Sequence, residues 1–136
     1  MEEQVMDEQL KTKVEQIMEE GNVGYAYLYP SSGAASQEFV FGMTPKNIAY
    51  FLGNNFLKAR KMILTDCADR LILDTCGGFV DHCPNQELLS KILPILAPIQ
   101  MGEKEAEDFP IVTRDEYEEY GRWEEEQVTI AEMSMG

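Results

Sequence analysis

Hydrophobic residues recur along the chain with two periods, one typical of helices and one typical of strands. Between residues 5 and 18 they recur at helical spacing, with acids and lysines filling the other side, which predicts an amphipathic helix ended by Gly21. In GYAYLYP the period becomes two, which predicts a strand closed by Pro30. After the turn-forming segment SSGAAS, Glu38 to Gly42 predicts a second strand that forms an antiparallel hairpin with the first. The apolar positions of the helix are Val5, Met6, Leu10, Val14, Ile17 and Met18.

A second helix follows this first hairpin. Thr44 as N-cap and Pro45 at the first helical position announce its start. Apolar residues at helical spacing then predict that it runs to about Ala59 or Arg60, with Gly53 tolerated as a weak point.

A second hairpin is predicted in the stretch from Lys61 to Cys83. Met62 to Thr65 and Leu71 to Thr75 are short apolar runs, and the acidic and small residues between them suit a tight reversal. Cys76, Gly77 and Gly78 predict a second turn or a bulge before the short run Phe79 to Asp81.

Two more helices are predicted in the last third of the chain. Asn85 caps the segment QELLSKILPILAPIQM, which is apolar almost all round and should be the most buried helix. Pro94 and Pro98 each remove a backbone donor, so we expect a kink there or two consecutive short helices. Thr113 caps the last helix after a charged linker and an extended segment that contains Phe109, Ile111 and Val112. Its narrow apolar stripe comprises Tyr117, Tyr120 and Trp123, and the tail from Gln127 to Gly136 should be loosely ordered.

These elements together predict a single α+β domain of 136 residues. Its antiparallel sheet consists of two hairpins packed with helices on one face. Charge divides the chain into three regions: an acidic N-terminal helix at 1–20, a neutral core at 21–102, and an acidic C-terminal helix and tail at 103–136.

The net charge of −14 arises entirely from the two ends of the chain. Residues 1–20 carry seven acids and two lysines, and residues 101–136 carry twelve acids and three bases, whereas six acids and six bases balance between them. This distribution disfavours direct binding to nucleic acid or an anionic membrane, because phosphates select a basic surface. It favours a basic protein partner, or a solubilising role for the ends. The acidic start and the lack of a long apolar run predict a cytoplasmic protein.

The cysteines and the single histidine are the first candidates for chemistry. Cys67, Cys76, His82 and Cys83 offer the ligand types that zinc prefers, but no pair has the spacing of a zinc knuckle, so we predict no metal and no cofactor. Cys76 before two glycines is a candidate nucleophile with His82 as its base, which would make the protein a thiol-dependent enzyme or redox protein. The competing interpretation is that the glycines serve a turn and Cys76 fills space.

Two other sets of side chains have both a functional and a structural interpretation. Four aspartates lack a calcium-loop pattern and are explained by turns and solvated strand faces. Three alternating tyrosines could contact a partner, but a sheet face covered by a helix is the default interpretation. The aspartates are Asp66, Asp69, Asp74 and Asp81, and the tyrosines are Tyr25, Tyr27 and Tyr29.

The central run ILTD, Arg70, LILDT, Gly77-Gly78-Phe79-Val80-Asp81, Cys83-Pro84, QELL and PIQMG resembles small uncharacterised acidic proteins of Gram-positive gut bacteria, some of them encoded on mobile elements. The resemblance covers roughly residues 60–102 and implies an accessory protein without naming an activity or a functional residue.

The sequence therefore favours a non-enzymatic interaction or regulatory module that acts through an acidic surface on a protein partner. One form of this hypothesis is an inhibitor of a DNA-binding protein, in which closely spaced carboxylates imitate the phosphates of a duplex. The residues predicted to bind the partner are Glu118, Glu119, Glu124, Glu125 and Glu126. The alternative is the thiol enzyme or redox protein that uses Cys76 with His82.

Overall fold

Four helices and six strands follow one another along residues 6–135, the part of the chain that the structure, a computed structural model, describes. The helices are α1 (Glu8–Glu20), α2 (Pro45–Asn55), α3 (Gln86–Gln100) and α4 (Arg114–Met135). The strands are β1 (Val23–Pro30), β2 (Gln37–Gly42), β3 (Ala59–Asp66), β4 (Leu71–Cys76), β5 (Phe79–His82) and β6 (Ile111–Thr113). Val5, predicted to belong to the first helix, lies outside the described residues, as does Gly136 at the end of the tail.

The strands form one antiparallel sheet in the order β5-β4-β3-β1-β2-β6. The two predicted hairpins are present, and they join because β1 pairs with β2 on one side and with β3 on the other. Tyr25 of β1 accordingly lies between Val40 and Thr65. The α+β class and the antiparallel sheet are confirmed, and β5 and β6 extend the four predicted strands at the two edges.

Helices α2 and α3 cover one face of the sheet. Because side chains alternate along a strand, Phe41, Leu64 and Leu73 point to this face, and all three are fully buried beneath the two helices. Gly53 is where α2 and α3 approach each other, since a Cβ added there would lie 2.6 Å from Cγ2 of Ile99. The glycine is therefore needed for helix packing and is more than a tolerated weak point.

Helices α1 and α4 lie on the opposite face, over β2 and β6. Val40 and Val112 are cross-strand partners on this face, and they pack with Val14 and Ile17 of α1 and with Tyr120 of α4. Helices were predicted on one face of the sheet, where α2 and α3 lie. Helices α1 and α4 cover the other face, so the sheet is the middle of three layers. Pairing of β6 beside β2 causes this arrangement, because α4 begins immediately after β6.

Helix α2 is shorter than predicted, because the residues assigned to its end belong to β3. It ends at Asn55, whose side-chain Nδ2 donates to the carbonyl of Phe51 at 2.7 Å. The chain then turns, and Ala59 pairs with Pro30 at the end of β1. The predicted start was correct, since the Thr44 hydroxyl accepts from the backbone N–H of Asn47 at 3.1 Å.

Helix α3 runs without interruption through Pro94 and Pro98, so it does not divide into two short helices. It was also predicted to be the most buried helix, and this is wrong. Only Ile92, Leu96 and Ile99 are buried in α3, whereas α2 buries a continuous run from Asn47 to Leu52. The reason is that α3 packs against α2 and the sheet along one side only, and its other side leaves Leu93 44% exposed.

Helix α4 extends through the segment that was predicted to be a loosely ordered tail. Its start has a capping box: the Thr113 hydroxyl accepts from the Glu116 N–H at 3.2 Å, and the Glu116 carboxylate accepts from the Thr113 N–H at 2.9 Å. The helix then continues to Met135. No glycine or proline interrupts residues 122–135, which explains why the helix does not end at Gln127.

Candidate functional site

The acidic helices from the two ends of the sequence lie side by side. Leu10 and Val14 of α1 belong to the same buried cluster as Tyr120 of α4, and the Lys11 ammonium lies 5.3 Å from the centre of the Trp123 ring. Their outward surfaces, which we call the acidic face, combine carboxylates that are about a hundred positions apart in sequence. The exposed carboxylates of the acidic face belong to Glu8, Glu15, Glu19, Asp115, Glu118, Glu124, Glu125, Glu126 and Glu132, whereas the Glu20 carboxylate accepts from Nδ2 of Asn47 at 2.7 Å.

The five residues predicted to bind a partner differ in how available they are. Glu124, Glu125 and Glu126 are exposed. Glu118 is exposed, and one of its carboxylate oxygens lies 3.5 Å from Nε of Arg114. Glu119 is half-buried. Every residue from 124 to 133 is exposed, so the second half of α4 presents several turns of helix to solvent.

The tyrosine stripe of β1 is partly covered by arginines. The Arg114 guanidinium lies 4.6 Å from the centre of the Tyr25 ring, and its Nη1 donates to the Tyr27 hydroxyl at 3.0 Å. Farther along the strand, the Arg60 guanidinium lies 5.7 Å from the Tyr29 ring. Cation–π contact and hydrogen bonding therefore occupy this face, and α4 is anchored through it.

The structure does not place Cys76 opposite His82. Both are exposed, but Cys76 pairs with Phe79 across the β4–β5 hairpin and His82 pairs with Asp74. Because of a bulge in β5, His82 is opposite a residue only two positions before Cys76, which is an offset of about 7 Å along the ladder at 3.3 Å per residue. Cys67 is also exposed, in the turn before β4.

Cys83 is the buried cysteine. Its Sγ–H donates to the carbonyl of Asn85 at 3.3 Å, and burial raises the pKa of the thiol. Residues 6–135 contain no group of three His, Cys, Asp or Glu side chains placed to hold a metal ion.

Asp66 serves a turn, as its structural interpretation predicted, whereas Asp74 and Asp81 lie in β4 and β5. The Asp66 carboxylate accepts from the backbone N–H groups of Ala68 and Arg70 at 2.8 and 2.9 Å, and from Nε of Arg70 at 2.8 Å. These hydrogen bonds, with that from the Arg70 backbone the most important, lower the pKa of Asp66. Asp81, by contrast, lies beside a groove at the sheet edge.

That groove lies between β5 and α3 and has a volume of about 460 Å³. We call it the β5–α3 groove. Leu89, Leu93 and Leu96 form its helical wall, and all four residues of β5 line the other side. The groove was not predicted from the sequence, although one signal was present: α3 has apolar residues all round, more than a single packing side can bury.

Comparison with known proteins identifies no relative of this chain. No protein-family model matches it, and no similar curated protein or solved structure was found. The resemblance to acidic proteins of gut bacteria therefore stays a prediction. Within residues 6–135, none of the helices combines the length and apolar character that crossing a bilayer requires.

Proposed function

We propose that this chain is a non-enzymatic interaction or regulatory protein that binds a basic protein partner through its acidic face. The observation that carries the proposal is the lateral packing of α1 on α4, which merges the acidic ends of the sequence into one surface. Carboxylates gathered on one side produce a stronger local potential than the same charges spread over the protein. Such a surface accelerates association with a basic partner and selects against acidic ones.

The second half of α4 is the part of the acidic face best suited to direct contact. Residues 124–133 are exposed, and apolar side chains such as Val128 and Met133 stand among the carboxylates. Apolar contacts of this kind add affinity that salt does not screen. A partner that presents Lys or Arg around an apolar groove would match this pattern, and binding would hold the exposed helix in place.

A capture experiment in the native host tests the proposal. The tagged full-length chain should recover a basic protein, and the triple variant Glu124→Lys, Glu125→Lys, Glu126→Lys should recover at least tenfold less of it. The matched control is the triple variant Glu103→Lys, Glu105→Lys, Asp108→Lys, which changes the net charge equally in the exposed connection between α3 and β6. It should recover the partner nearly as well as the unchanged chain.

An equal loss of recovery in the two triple variants would show that total charge, and not the acidic face, determines binding, and undiminished recovery by both would contradict a role for the acidic face. If the recovered partner binds DNA, competition with duplex DNA distinguishes two forms of the proposal. Displacement of the chain by DNA would support imitation of a phosphate backbone by the carboxylates. Simultaneous binding of the chain and DNA would show that the acidic face contacts a surface of the partner separate from its DNA-binding site.

A further inference from the structure

The β5–α3 groove runs along an unpaired edge of the sheet. Strand β5 is an edge strand that, among residues 6–135, pairs with β4 alone, so alternate N–H and C=O groups point away from the sheet. All four of its residues line the groove. The register of β5 against β4 skips Asp81, which is the extra residue of a bulge between the paired residues Val80 and His82. The groove therefore runs along the whole length of the edge strand.

The helical wall of the groove is fixed at both ends of the strand. Nε2 of Gln86 donates to the Cys83 carbonyl at 2.9 Å, and Nε2 of Gln100 donates to the Gly78 carbonyl at 2.9 Å. These hydrogen bonds bracket β5 and hold α3 alongside it, so the groove exists before any ligand arrives. A preformed site reduces the entropy lost on binding.

Apolar side chains remain exposed at this edge. Phe79 is 67% exposed at the start of β5, and Leu93 is 44% exposed on the wall opposite. Natural sheet edges are commonly protected by short strands, bulges, charge, proline or a covering segment, because an open edge pairs with other strands. Strand β5 has four residues and a bulge, yet its apolar side chains remain exposed. Asp81 is the charged residue in the lining, which contains no lysine or arginine.

We propose that the β5–α3 groove binds an extended segment of a partner protein, which adds to β5 as a further strand. The backbone of the segment would pair with the edge of β5, while its alternate apolar side chains would enter the groove toward Leu93 and Phe79. The intervening positions would carry Lys or Arg, because Asp81 is the charged residue of the lining and neither lysine nor arginine is present there to oppose a basic ligand. Four strand residues pair with a segment of about four to six residues.

A second copy of the chain is a poorer occupant of the groove. Two protomers of charge −14 repel each other, and pairing of β5 with its own copy would bring two Asp81 carboxylates to the same short ladder. The groove is also separate from the acidic face, because α3 and the helices α1 and α4 cover opposite faces of the sheet. This inference and the proposed function can therefore fail independently.

Peptide selection followed by NMR tests the inference. A phage-displayed library of random octapeptides is selected on the immobilised full-length chain, and enriched peptides are synthesised for titration. We expect sequences that alternate apolar with basic residues and that shift the backbone amides of Phe79–His82. N-methylation of one alternate set of peptide amides should weaken binding at least tenfold, and methylation of the other set should have little effect, because only one set faces β5.

A matched pair of variants locates the binding. Leu93→Arg should weaken the selected peptides at least tenfold, whereas Met18→Arg, a similarly exposed position on α1, should not. Circular dichroism confirms that both variants remain folded. The inference is overturned if no peptide is enriched, if both sets of N-methylated peptides bind alike, or if the shifted amides lie in α4. A concentration-dependent dimer abolished by Leu93→Arg would also overturn it, by assigning the groove to a second copy.

Discussion

Nη1 of Arg114 donates a hydrogen bond of 3.0 Å to the hydroxyl oxygen of Tyr27. The same guanidinium lies over the Tyr25 ring and within 3.6 Å of a Glu38 carboxylate oxygen. Since Arg114 is the first residue of α4, these contacts join the start of the acidic helix to β1 and β2. The position of α4 on the sheet therefore depends on Arg114, a positively charged residue at the start of an acidic helix.

Replacement of this arginine should destabilise the domain. We expect Arg114→Ala to lower the free energy of unfolding by about 1 to 2 kcal/mol, through loss of a charge-assisted hydrogen bond and a cation–π contact. Arg122→Ala is the control, because Arg122 is an exposed arginine of the same helix. Urea unfolding measures both, and equal effects of the two variants would contradict the anchoring role of Arg114.

The two helical glycines should respond in opposite directions to alanine. At Gly53 a methyl group would lie against Ile99, so Gly53→Ala should cost about 1 to 3 kcal/mol of stability despite the better helix propensity of alanine. At Gly121 an added Cβ meets nothing within 4 Å, so Gly121→Ala should stabilise α4 by up to about 1 kcal/mol. Thermal or urea unfolding measures the stability change of both variants. A stabilising effect of Gly53→Ala would disprove the close approach of α2 and α3.

The low pKa of Asp66 predicts a pH-dependent contribution to stability. A carboxyl whose pKa is lower in the folded than in the unfolded state stabilises the fold above its unfolded pKa, and this contribution disappears as pH falls. Asp66→Asn should therefore be less stable than the unchanged chain at pH 7, and the difference should shrink below about pH 4. Asp69→Asn, in the same turn, is the control. A difference that does not vary with pH would contradict the assigned cause.

Thiol alkylation separates the cysteines and addresses the alternative of a thiol enzyme. Iodoacetamide should modify the exposed Cys67 and Cys76 in the folded protein, and Cys83 only after denaturation, because burial protects the thiol and raises its pKa. Mass spectrometry counts and locates the adducts. If His82 does not activate Cys76, the two exposed thiols react at similar rates. Much faster modification of Cys76, lost in His82→Ala, would instead support the enzyme.

Local signals along the chain predicted its elements well. Thr44 and Asn85 have the side-chain oxygen that an N-cap needs, and the hydrogen bonds to Asn47 and Leu88 are present. The alternation of side chains in the strand that contains Tyr25 predicted the first hairpin, and the turn residues after Asp66 predicted the second. Each of these features depends on residues only a few positions apart, which is why sequence alone revealed them.

Features that depend on distant pairing were not predicted. The three-residue strand β6 has no periodicity of its own, yet its pairing with β2 brings α4 beside α1 and creates the acidic face. The role of Gly53 depends on Ile99, which lies on another helix. The β5–α3 groove likewise depends on which side of α3 packs against α2, and the apolar pattern of α3 does not specify that side.

The most direct measurement of the central claim is the affinity of the captured partner at two salt concentrations. Isothermal titration of the purified partner should show tighter binding at low salt, because exposed charges are screened as ionic strength rises. Replacement of Glu124, Glu125 and Glu126 by lysine should weaken binding at low salt at least tenfold and remove most of the salt dependence. The control with lysine at Glu103, Glu105 and Asp108 should keep both. Affinity and salt dependence unchanged by the first substitution would contradict a function of the acidic face.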